Sequence, residues 1–273
     1  MPRPGLPKLI ATDLDGTLVR SDDTVSAYTH GVLDRVRTAG IPIVGATGRG
    51  PRLTELTLND IRAADYLVLA NGGRVVDLSD PAGPVTLRDE RLPGRVVAGI
   101  LAALEAEVGP LSVLIEALDE HNAPLWGDPD PAWRYPERLE QRTRGDALAG
   151  PVIKGFARAA DHDVDVLLAA AHRLVPPDIA TVTQAGLGFI EILPPGVDKA
   201  TGLAVVIECL GVDPAEVLVF GDMPNDIPMF EWAGWGRVAV ANAHPTVRAL
   251  ADEITASNDE DGVAVYLDRL LSL

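Results

Sequence analysis

Short apolar runs alternate with stretches of helical periodicity in the first and last thirds of the chain. The runs are KLIAT (8–12), IPIVGAT (41–47), YLVLAN (66–71) and VLVFGD (217–222). Residues 25–40 and 199–211 carry apolar residues at helical spacing, and both stretches end at a glycine. Apolar strands separated by helices are typical of a parallel sheet covered on both faces. The pattern therefore predicts an α/β fold with a Rossmann-like parallel sheet.

The middle of the chain, residues 82–188, has a different pattern. Its strand-like runs are shorter and alternate apolar with polar residues, and helices are predicted near residues 94–109 and 162–175. Residues 119–151 are rich in Pro, Gly and charge, which favours a long ordered loop. We therefore predict a discontinuous core domain, residues 1–81 and 189–273, interrupted by an inserted α+β domain of residues 82–188.

Charge and cysteine content limit the classes of partner and the compartment. The formal net charge of -17 argues against nucleic acid and against an anionic membrane surface as partners. The single cysteine, Cys209, excludes an internal disulfide and suits a reducing compartment, and its apolar neighbours predict that it is buried. No apolar run approaches the ~20 residues of a membrane span, and the first residues lack a signal peptide's apolar stretch. We expect a cytoplasmic protein, and the sequence leaves its oligomeric state open.

Polar residues gather where the predicted core strands end. They are Asp13 and Asp15 after the first strand, Thr47 after the second, Lys199 at the start of a helix, and Asp222, Asn225 and Asp226 after a late strand. In an open parallel sheet, the carboxyl ends of the strands border one crevice, so these side chains are expected to meet. Carboxylates two residues apart repel each other unless positive charge lies nearby. The sequence therefore predicts one site with four acids, a lysine, a hydroxyl and an amide.

The order of these motifs along the chain resembles that of a known family. DLDGT, ATGR, a lysine before a helix, and GDMPND resemble the four motifs of the haloacid dehalogenase (HAD) superfamily of phosphohydrolases. The insert between LANGG and EILPPGVDKATG resembles the type C2B cap of the Cof-like branch, and the resemblance covers nearly the whole chain. It implies a Rossmann-like core with an α+β cap, and hydrolysis of phosphoric monoesters through an aspartyl-phosphate.

The resemblance also implies a role for each motif residue. Asp13 is expected to be the nucleophile, and Asp15 the general acid and base. Mg²⁺ is expected to be held by Asp13, the backbone carbonyl of Asp15 and Asp222, with Asp226 as a further ligand or as support for the ligands. The residues expected to bind the substrate phosphate are Thr47, Gly48, Arg49, Lys199 and Asn225.

Simpler explanations exist for the individual residues. An Asp pair before Gly-Thr commonly forms a turn, Thr47 and Asn225 can cap helices, and a lysine at a helix start is usually solvated. Asn71 in LANGG is expected to be a turn residue. In the middle domain, Trp126, Trp133 and Tyr135 are candidates either for contact with a sugar or for ordinary packing. The matched order of the four motifs favours the functional interpretation.

Three activities fit the motifs. We predict a phosphatase that acts on small phosphorylated metabolites, with sugar phosphates favoured. A phosphomutase of the same superfamily uses the same aspartyl-phosphate, and a non-catalytic protein that binds phosphometabolites could keep the same residues. Phosphate release without a bisphosphate activator separates the first two, and the intact acids and lysine argue against the third.

Overall fold

The structure is a computed structural model that describes residues 5–133, 138–186 and 188–272. Its strands, in chain order, are β1 Leu9–Thr12, β2 Ile43–Ala46, β3 Tyr66–Leu69, β4 Arg74–Asp77, β5 Val85–Asp89, β6 Leu92–Pro93, β7 Leu111–Glu116, β8 Leu125–Gly127, β9 Leu139–Gln141, β10 Pro151–Val152, β11 Lys154–Ala159, β12 Thr181–Gln184, β13 Ile190–Leu193, β14 Val217–Gly221, β15 Gly236–Ala239 and β16 Glu253–Ile254. Its helices are α1 Ala27–Thr38, α2 Thr54–Asp60, α3 Gly94–Val108, α4 Arg144–Ala147, α5 Val164–Leu174, α6 Lys199–Leu210, α7 Ile227–Trp232, α8 Pro245–Leu250 and α9 Gly262–Leu271. Across these described ranges, none of the helices combines the length and the apolar character that crossing a bilayer requires.

The chain forms two compact units. The first comprises Met1–Gly48, Thr54–Arg88 and Asp198–Leu273, and the second comprises Arg49–Leu53 and Asp89–Val197. These limits differ from the predicted boundaries after residues 81 and 188. The reasons are that β5 extends the sheet of the first unit, whereas β13 pairs with β11 and β12 in the second. The residue limits of the catalytic core, 1–81 and 189–273, and of the cap, 82–188, stay a prediction.

The first unit is built on a twisted sheet with the order β16-β15-β14-β1-β2-β3-β4-β5. From β16 to β3 each neighbouring pair is parallel, and β4 runs antiparallel to β3. Every residue of β1, β2, β3 and β14 is buried, as expected for strands covered on both faces. The predicted α/β fold with a parallel sheet is confirmed. Because β1 lies between β14 and β2, the carboxyl ends of these three strands are neighbours.

The second unit has a six-stranded sheet with the order β12-β13-β11-β7-β8-β9. Its pairs are antiparallel except for β8 with β9, and α3 and α5 pack on the central strand β11. The prediction of a long loop over residues 119–151 is wrong, because this segment contains β8, β9, α4 and β10. These elements are only two to four residues long, too short to produce a readable period in the sequence.

The aromatic residues of that segment contribute to packing. Trp133 is buried and meets Phe156 and Phe189 edge-to-face, with ring centroids 5.4 Å and 5.6 Å apart. The Arg142 guanidinium stacks over the half-buried Trp126 ring, 3.9 Å from its centroid. Tyr135 lies outside the described residues. Of the two interpretations of these aromatic residues, the contacts of Trp133 support packing.

Cys209 is exposed, so the prediction that it is buried is wrong. Helix α6 turns Leu203, Val206 and Ile207 inward. Cys209 lies two residues after Ile207, which at 3.6 residues per turn puts its side chain on the solvent side. The apolar neighbours of Cys209 in the sequence are therefore a poor guide, because helical spacing decides which of them share its face.

Candidate active site

The DLDGT turn begins where β1 ends and is fastened to the end of β14. The Asp13 N–H donates to the Phe220 carbonyl at 2.9 Å, which continues the ladder between the two strands and leaves the Asp13 side chain buried. Gly16 has φ +85°, and a Cβ there would lie 2.5 Å from Oδ2 of Asp222, so only glycine fits. The Thr17 hydroxyl donates to Oδ1 of Asp222 at 2.8 Å. This backbone geometry brings the early and late acidic motifs together.

Lys199 is the first residue of α6, and its side chain is completely buried. The helix starts with a reciprocal cap, in which Asp198 accepts from the Thr201 N–H at 2.8 Å and the Thr201 hydroxyl accepts from the Asp198 N–H at 3.1 Å. The cap supplies hydrogen-bond partners to the backbone at the start of the helix. The Lys199 side chain is not needed there and turns inward. Its ammonium donates to Oδ1 of Asp13 and, at 2.6 Å, to Oδ1 of Asp226.

Asp226 is fully buried, and both of its carboxylate oxygens accept hydrogen bonds. Oδ1 accepts from Lys199, while Oδ2 accepts from the backbone N–H groups of Asp222 and Met223 at 2.8 Å and 2.9 Å. A Cβ at Gly221 would lie 2.6 Å from Cγ of Asp226, so this close approach also requires glycine. Asp226 therefore stabilises the GDMPND turn through hydrogen bonds to its backbone and also binds the ammonium of Lys199.

A second group of polar residues follows β2. Thr47 is fully buried, and its carbonyl accepts from the Asn71 N–H at 3.0 Å. The Asn71 side-chain oxygen accepts from Nδ2 of Asn225 at 3.0 Å, and Oδ1 of Asn225 is buried without a hydrogen-bond partner. A Cβ added at Gly48 would lie 3.5 Å from Oδ1 of Asn71. These contacts place motif residues Thr47, Gly48 and Asn225 around Asn71.

Asn71 and Thr17 are the two residues of the site that sequence reasoning did not assign. Asn71 occupies a short 3₁₀ turn with φ +53°, as its predicted turn role requires, and its side chain also orients Asn225. Its partner lies 154 residues away, so the sequence gives no signal for this second role. Thr17 stands inside the DLDGT motif, which is the signal that could have identified it.

The predicted site residues do not all lie in one cluster. One carboxylate oxygen from each of Asp13, Asp222 and Asp226 lies within 4.8 Å of the others, and Lys199 contacts two of these acids. The Asp15 side chain is exposed and is not part of this carboxylate group. Arg49 belongs to the second unit, although it follows Gly48 directly in the chain.

The carboxylate cluster carries more negative charge than Lys199 offsets. Burial, together with Asp226 and Asp15, raises the pKa of Asp13 to about 7 although Lys199 acts to lower it. Burial, Asp13 and Asp226 raise the pKa of Asp222 to about 9. Burial acts to lower the pKa of Lys199, but Asp13 and Asp226 outweigh it and raise that pKa. A buried set of oxygen donors with excess negative charge suits a hard divalent cation, so the residues present fit a metal ion.

These shifts predict how the stability of the metal-free protein depends on pH. The ordinary carboxyl pKa is 3.8, and the folded-state values of about 7 for Asp13 and about 9 for Asp222 lie above it. The folded chain therefore holds protons that the unfolded chain has released, and its stability falls as the pH rises through both values. Thermal unfolding in chelator should show a melting temperature that decreases from about pH 5 to about pH 9.

The same experiment has an internal control and a clear opposite outcome. Asp222→Asn removes the group with the higher pKa, so its melting temperature should depend less on pH. Carboxyl groups with a lowered pKa, such as Asp261, change stability only below this range. Divalent metal competes with protons for the same oxygens and should restore more stability at high pH than at low pH. A melting temperature that rises across the range would contradict the charge balance described above.

Known proteins resemble this chain along its whole length. A family model described as haloacid dehalogenase-like hydrolase matches residues 10–267. The 5-amino-6-(5-phospho-D-ribitylamino)uracil phosphatase YitU of Bacillus subtilis is 30% identical over 98% of this chain and 98% of its own length. The phosphatase YbjI of Escherichia coli, with the same substrate in its name, is 30% identical over 97% of this chain and 96% of its own.

A solved structure supports the fold of both units. The HAD subclass IIB sugar phosphatase BT4131 superposes with a TM-score of 0.79 and 22% identity, covering 97% of this chain and 100% of that one. Together with the family match over residues 10–267, this confirms the predicted HAD-type fold with an inserted cap of the Cof-like branch. The chain belongs to the haloacid dehalogenase-like hydrolases, and it is a phosphatase.

Proposed function

We propose that the protein is a Mg²⁺-dependent phosphatase of small phosphorylated metabolites that works through an aspartyl-phosphate on Asp13. The observation that supports this most strongly is the buried cluster of Asp13, Asp222 and Asp226 bonded to Lys199. It combines a carboxylate nucleophile, oxygen donors for a hard cation and a fixed positive charge. Phosphoryl transfer needs these three elements around one phosphorus atom.

In the first half-reaction, a carboxylate oxygen of Asp13 attacks phosphorus in line with the ester oxygen. The bond from phosphorus to that oxygen breaks, and Asp15 gives its proton to the departing alkoxide. The exposed Asp15 side chain suits this transfer, because it is outside the carboxylate cluster and two residues from the nucleophile. Lys199 keeps the Asp13 carboxylate oriented through its hydrogen bond to Oδ1.

In the second half-reaction, water attacks the phosphorus of the aspartyl-phosphate. Asp15 accepts a proton from this water, the bond from phosphorus to the Asp13 oxygen breaks, and inorganic phosphate leaves with Asp13 restored. When bound, Mg²⁺ would neutralise part of the charge of the phosphoryl group and of the carboxylates. Asp13, Asp222 and the Asp15 carbonyl would hold it, and Asp226 would support them, since both Asp226 oxygens already accept hydrogen bonds.

Neutral and cationic donors complete the proposed phosphate site. The Thr47 hydroxyl, the Gly48 N–H and the Asn225 amide are the candidates beside Asn71, and Lys199 supplies positive charge. Asn225 uses one amide hydrogen on Asn71, which leaves its second for a phosphate oxygen. In a chain with a formal net charge of -17, such local donors are needed to attract an anion.

The proposed substrates are phosphate monoesters of sugars or related polyols. YitU and YbjI are both named for a phosphate ester on a ribityl chain, and each is 30% identical to this chain. A panel of sugar, alditol and carboxylate monophosphates, assayed for phosphate release, tests this class. Preference for the polyol esters without a bisphosphate activator supports a phosphatase of polyol phosphates. Turnover that requires such an activator would identify a mutase instead.

The metal requirement gives a direct test of the site. Exhaustive chelation should reduce hydrolysis of p-nitrophenyl phosphate at least about 100-fold, because the charge on the phosphoryl oxygens is then unneutralised. Mg²⁺ should restore the rate, whereas Ca²⁺ should restore it poorly because it prefers more ligands in looser geometry. Full activity in the chelated protein would refute the proposed site.

A further inference from the structure

The turn that follows Asp13 is closed by hydrogen bonds to a single backbone carbonyl. The Leu14 carbonyl accepts from the N–H groups of Thr17, Leu18 and Val19 at 3.1 Å, 2.9 Å and 2.8 Å. Asp15 lies inside this turn and forms a backbone bridge to Val19. The position of the Asp15 backbone, from which the side chain extends, is therefore set by how this short turn is held.

Two asparagines from distant parts of the first unit hold the turn at its ends. Nδ2 of Asn242 donates to the Gly16 carbonyl at 2.8 Å, and Nδ2 of Asn258 donates to the Val19 carbonyl at 3.0 Å. The pair is joined, because Oδ1 of Asn242 accepts from the Asn258 N–H at 3.0 Å. We call Asn242 and Asn258 the amide clamp.

The sheet order explains how these two residues reach the turn. Asn242 follows β15 and Asn258 follows the edge strand β16, and β15 lies between β16 and β14, the direct neighbour of β1. The loops at the carboxyl ends of β15 and β16 therefore extend across the end of β14 towards the DLDGT turn. The clamp joins three loops of one sheet edge with three hydrogen bonds.

The two asparagines differ in burial, and burial explains the hydrogen bond of only one of them. Val19 and Asn258 are buried, so the bond between them satisfies a carbonyl that water cannot reach. Asn242 is exposed and Gly16 is half-buried, so water could satisfy both of these groups. The Asn242 bond to Gly16 is thus not required to bury a polar group. What it adds is a fixed position for the residue next to Asp15.

We infer that the amide clamp positions Asp15 for proton transfer to the leaving oxygen, with Asn242 as its decisive member. The inference rests on the proposed function, in which Asp15 is the general acid and base. General acid catalysis depends on hydrogen-bond reach to one atom, and small displacements of a catalytic group are costly. Asn242 and Asn258 act on Asp15 through the backbone and are positioning residues.

The test uses substrates that differ in how much they need a general acid. Alkyl phosphates have poor leaving groups, whereas p-nitrophenolate leaves from p-nitrophenyl phosphate without a proton. In a single turnover, which isolates formation of the aspartyl-phosphate, Asn242→Ala should slow release of the leaving group about tenfold for an alkyl phosphate and less than about twofold for p-nitrophenyl phosphate. Asn242→Asp keeps the acceptor for the Asn258 N–H but loses the donor to Gly16, so it should match Asn242→Ala.

A double variant shows whether the effect passes through Asp15. Asp15→Asn should itself slow release of the leaving group in a single turnover far more with the alkyl phosphate than with p-nitrophenyl phosphate, and adding Asn242→Ala to it should cause no further loss on the alkyl ester. Ser21→Ala is the matched control, since it removes a 3.0 Å bond from the same loop to Asp259 and leaves the turn untouched. Melting temperatures measured for all variants detect any loss of folding.

Each outcome decides between the alternatives. Equal losses on both substrates, or additive losses in the double variant, would show that the clamp is merely structural and overturn the inference. If Asp15→Asn is sensitive to the leaving group but both Asn242 variants behave as Ser21→Ala does, only the clamp is refuted. If Asp15→Asn itself lacks this sensitivity, the proposed role of Asp15 fails and the inference fails with it.

Discussion

Replacing Asp13 with asparagine is expected to lower turnover by at least about 1,000-fold, equivalent to ~4 kcal/mol of barrier. An amide oxygen is too weak a nucleophile to displace the ester oxygen from phosphorus. The isosteric side chain can still accept a hydrogen bond from Lys199, so substrate binding and the local fold should survive. Steady-state release of phosphate, measured on several substrates, should fall in parallel because each of them needs the same attack.

The stability of this variant separates lost chemistry from lost structure. Asp13 is buried beside Asp226, and its raised pKa of about 7 shows that its charge is unfavourable there without metal. Asp13→Asn should therefore melt at or above the wild-type temperature in chelator near pH 8. Asp34→Asn, the same change at an exposed position of α1, should leave both activity and melting temperature unchanged.

The result that contradicts this prediction is a purified Asp13→Asn protein within tenfold of the wild-type rate, because at least ~2.7 kcal/mol of the expected increase in the barrier would then be missing. Mass spectrometry of the assayed sample excludes deamidation of the new asparagine back to aspartate. With that control, a surviving rate means that another group attacks phosphorus, and Asp13 is then a metal ligand or a structural acid only.

The sequence was sufficient to predict the buried part of the site because strand order determines it. Asp13 and Asp222 each follow a fully buried apolar strand, β1 and β14, and parallel strands end on the same edge of the sheet. Lys199 was harder to assign, since a lysine at a helix start usually points to solvent. Lys199 is completely buried against Asp13 and Asp226, and helical periodicity does not predict this burial. Only the order of the motifs along the chain indicates it.

The contacts that refine the site were beyond sequence reasoning, because they join side chains to distant partners. Asn225 bonds Asn71 across 154 residues, and Asn242 reaches Gly16 across 226. Polar residues in loops follow no periodic pattern, so the sequence does not show which residues they contact. Apolar residues in strands and helices are periodic, and their spacing shows which face of the element is buried. For the same reason the sequence predicts a loop where the short strands β8 and β9 lie, but it predicts the longer helices α3 and α5.

Replacing Lys199 with methionine is expected to affect both stability and activity. Methionine fills a similar volume but leaves Asp13 and Asp226 without their shared cation, and Asp222 adds a third acid within 4.8 Å. Removing one partner of a buried ion pair typically costs about 3 kcal/mol or more, so the metal-free variant should be destabilised by about that amount near neutral pH. Turnover should fall at least about 100-fold, because fixed positive charge next to the transferred phosphoryl group is lost.

The dependence on pH and a second substitution identify the cause. Lys199 acts to lower the pKa of Asp13, so its removal should raise that pKa further, and the destabilisation should shrink as the pH falls and the carboxyl groups bind protons. Lys199→Met combined with Asp226→Asn removes one acid along with the cation and should regain stability without regaining activity. This double variant also keeps the prediction measurable if Lys199→Met alone does not fold.

Lys8→Met provides the matched control, since Lys8 is 63% exposed in its 2.6 Å ion pair with Glu216 in the same unit. An exposed ion pair contributes little to stability, so this variant should have the melting temperature and the turnover rate of the wild type. If Lys199→Met and Lys8→Met were indistinguishable in chelator at neutral pH, the ammonium of Lys199 would not be what stabilises the carboxylate cluster. The excess of negative charge at the site would then have to be relieved by protons on Asp13 and Asp222, and the rate would follow their titration rather than the presence of a lysine.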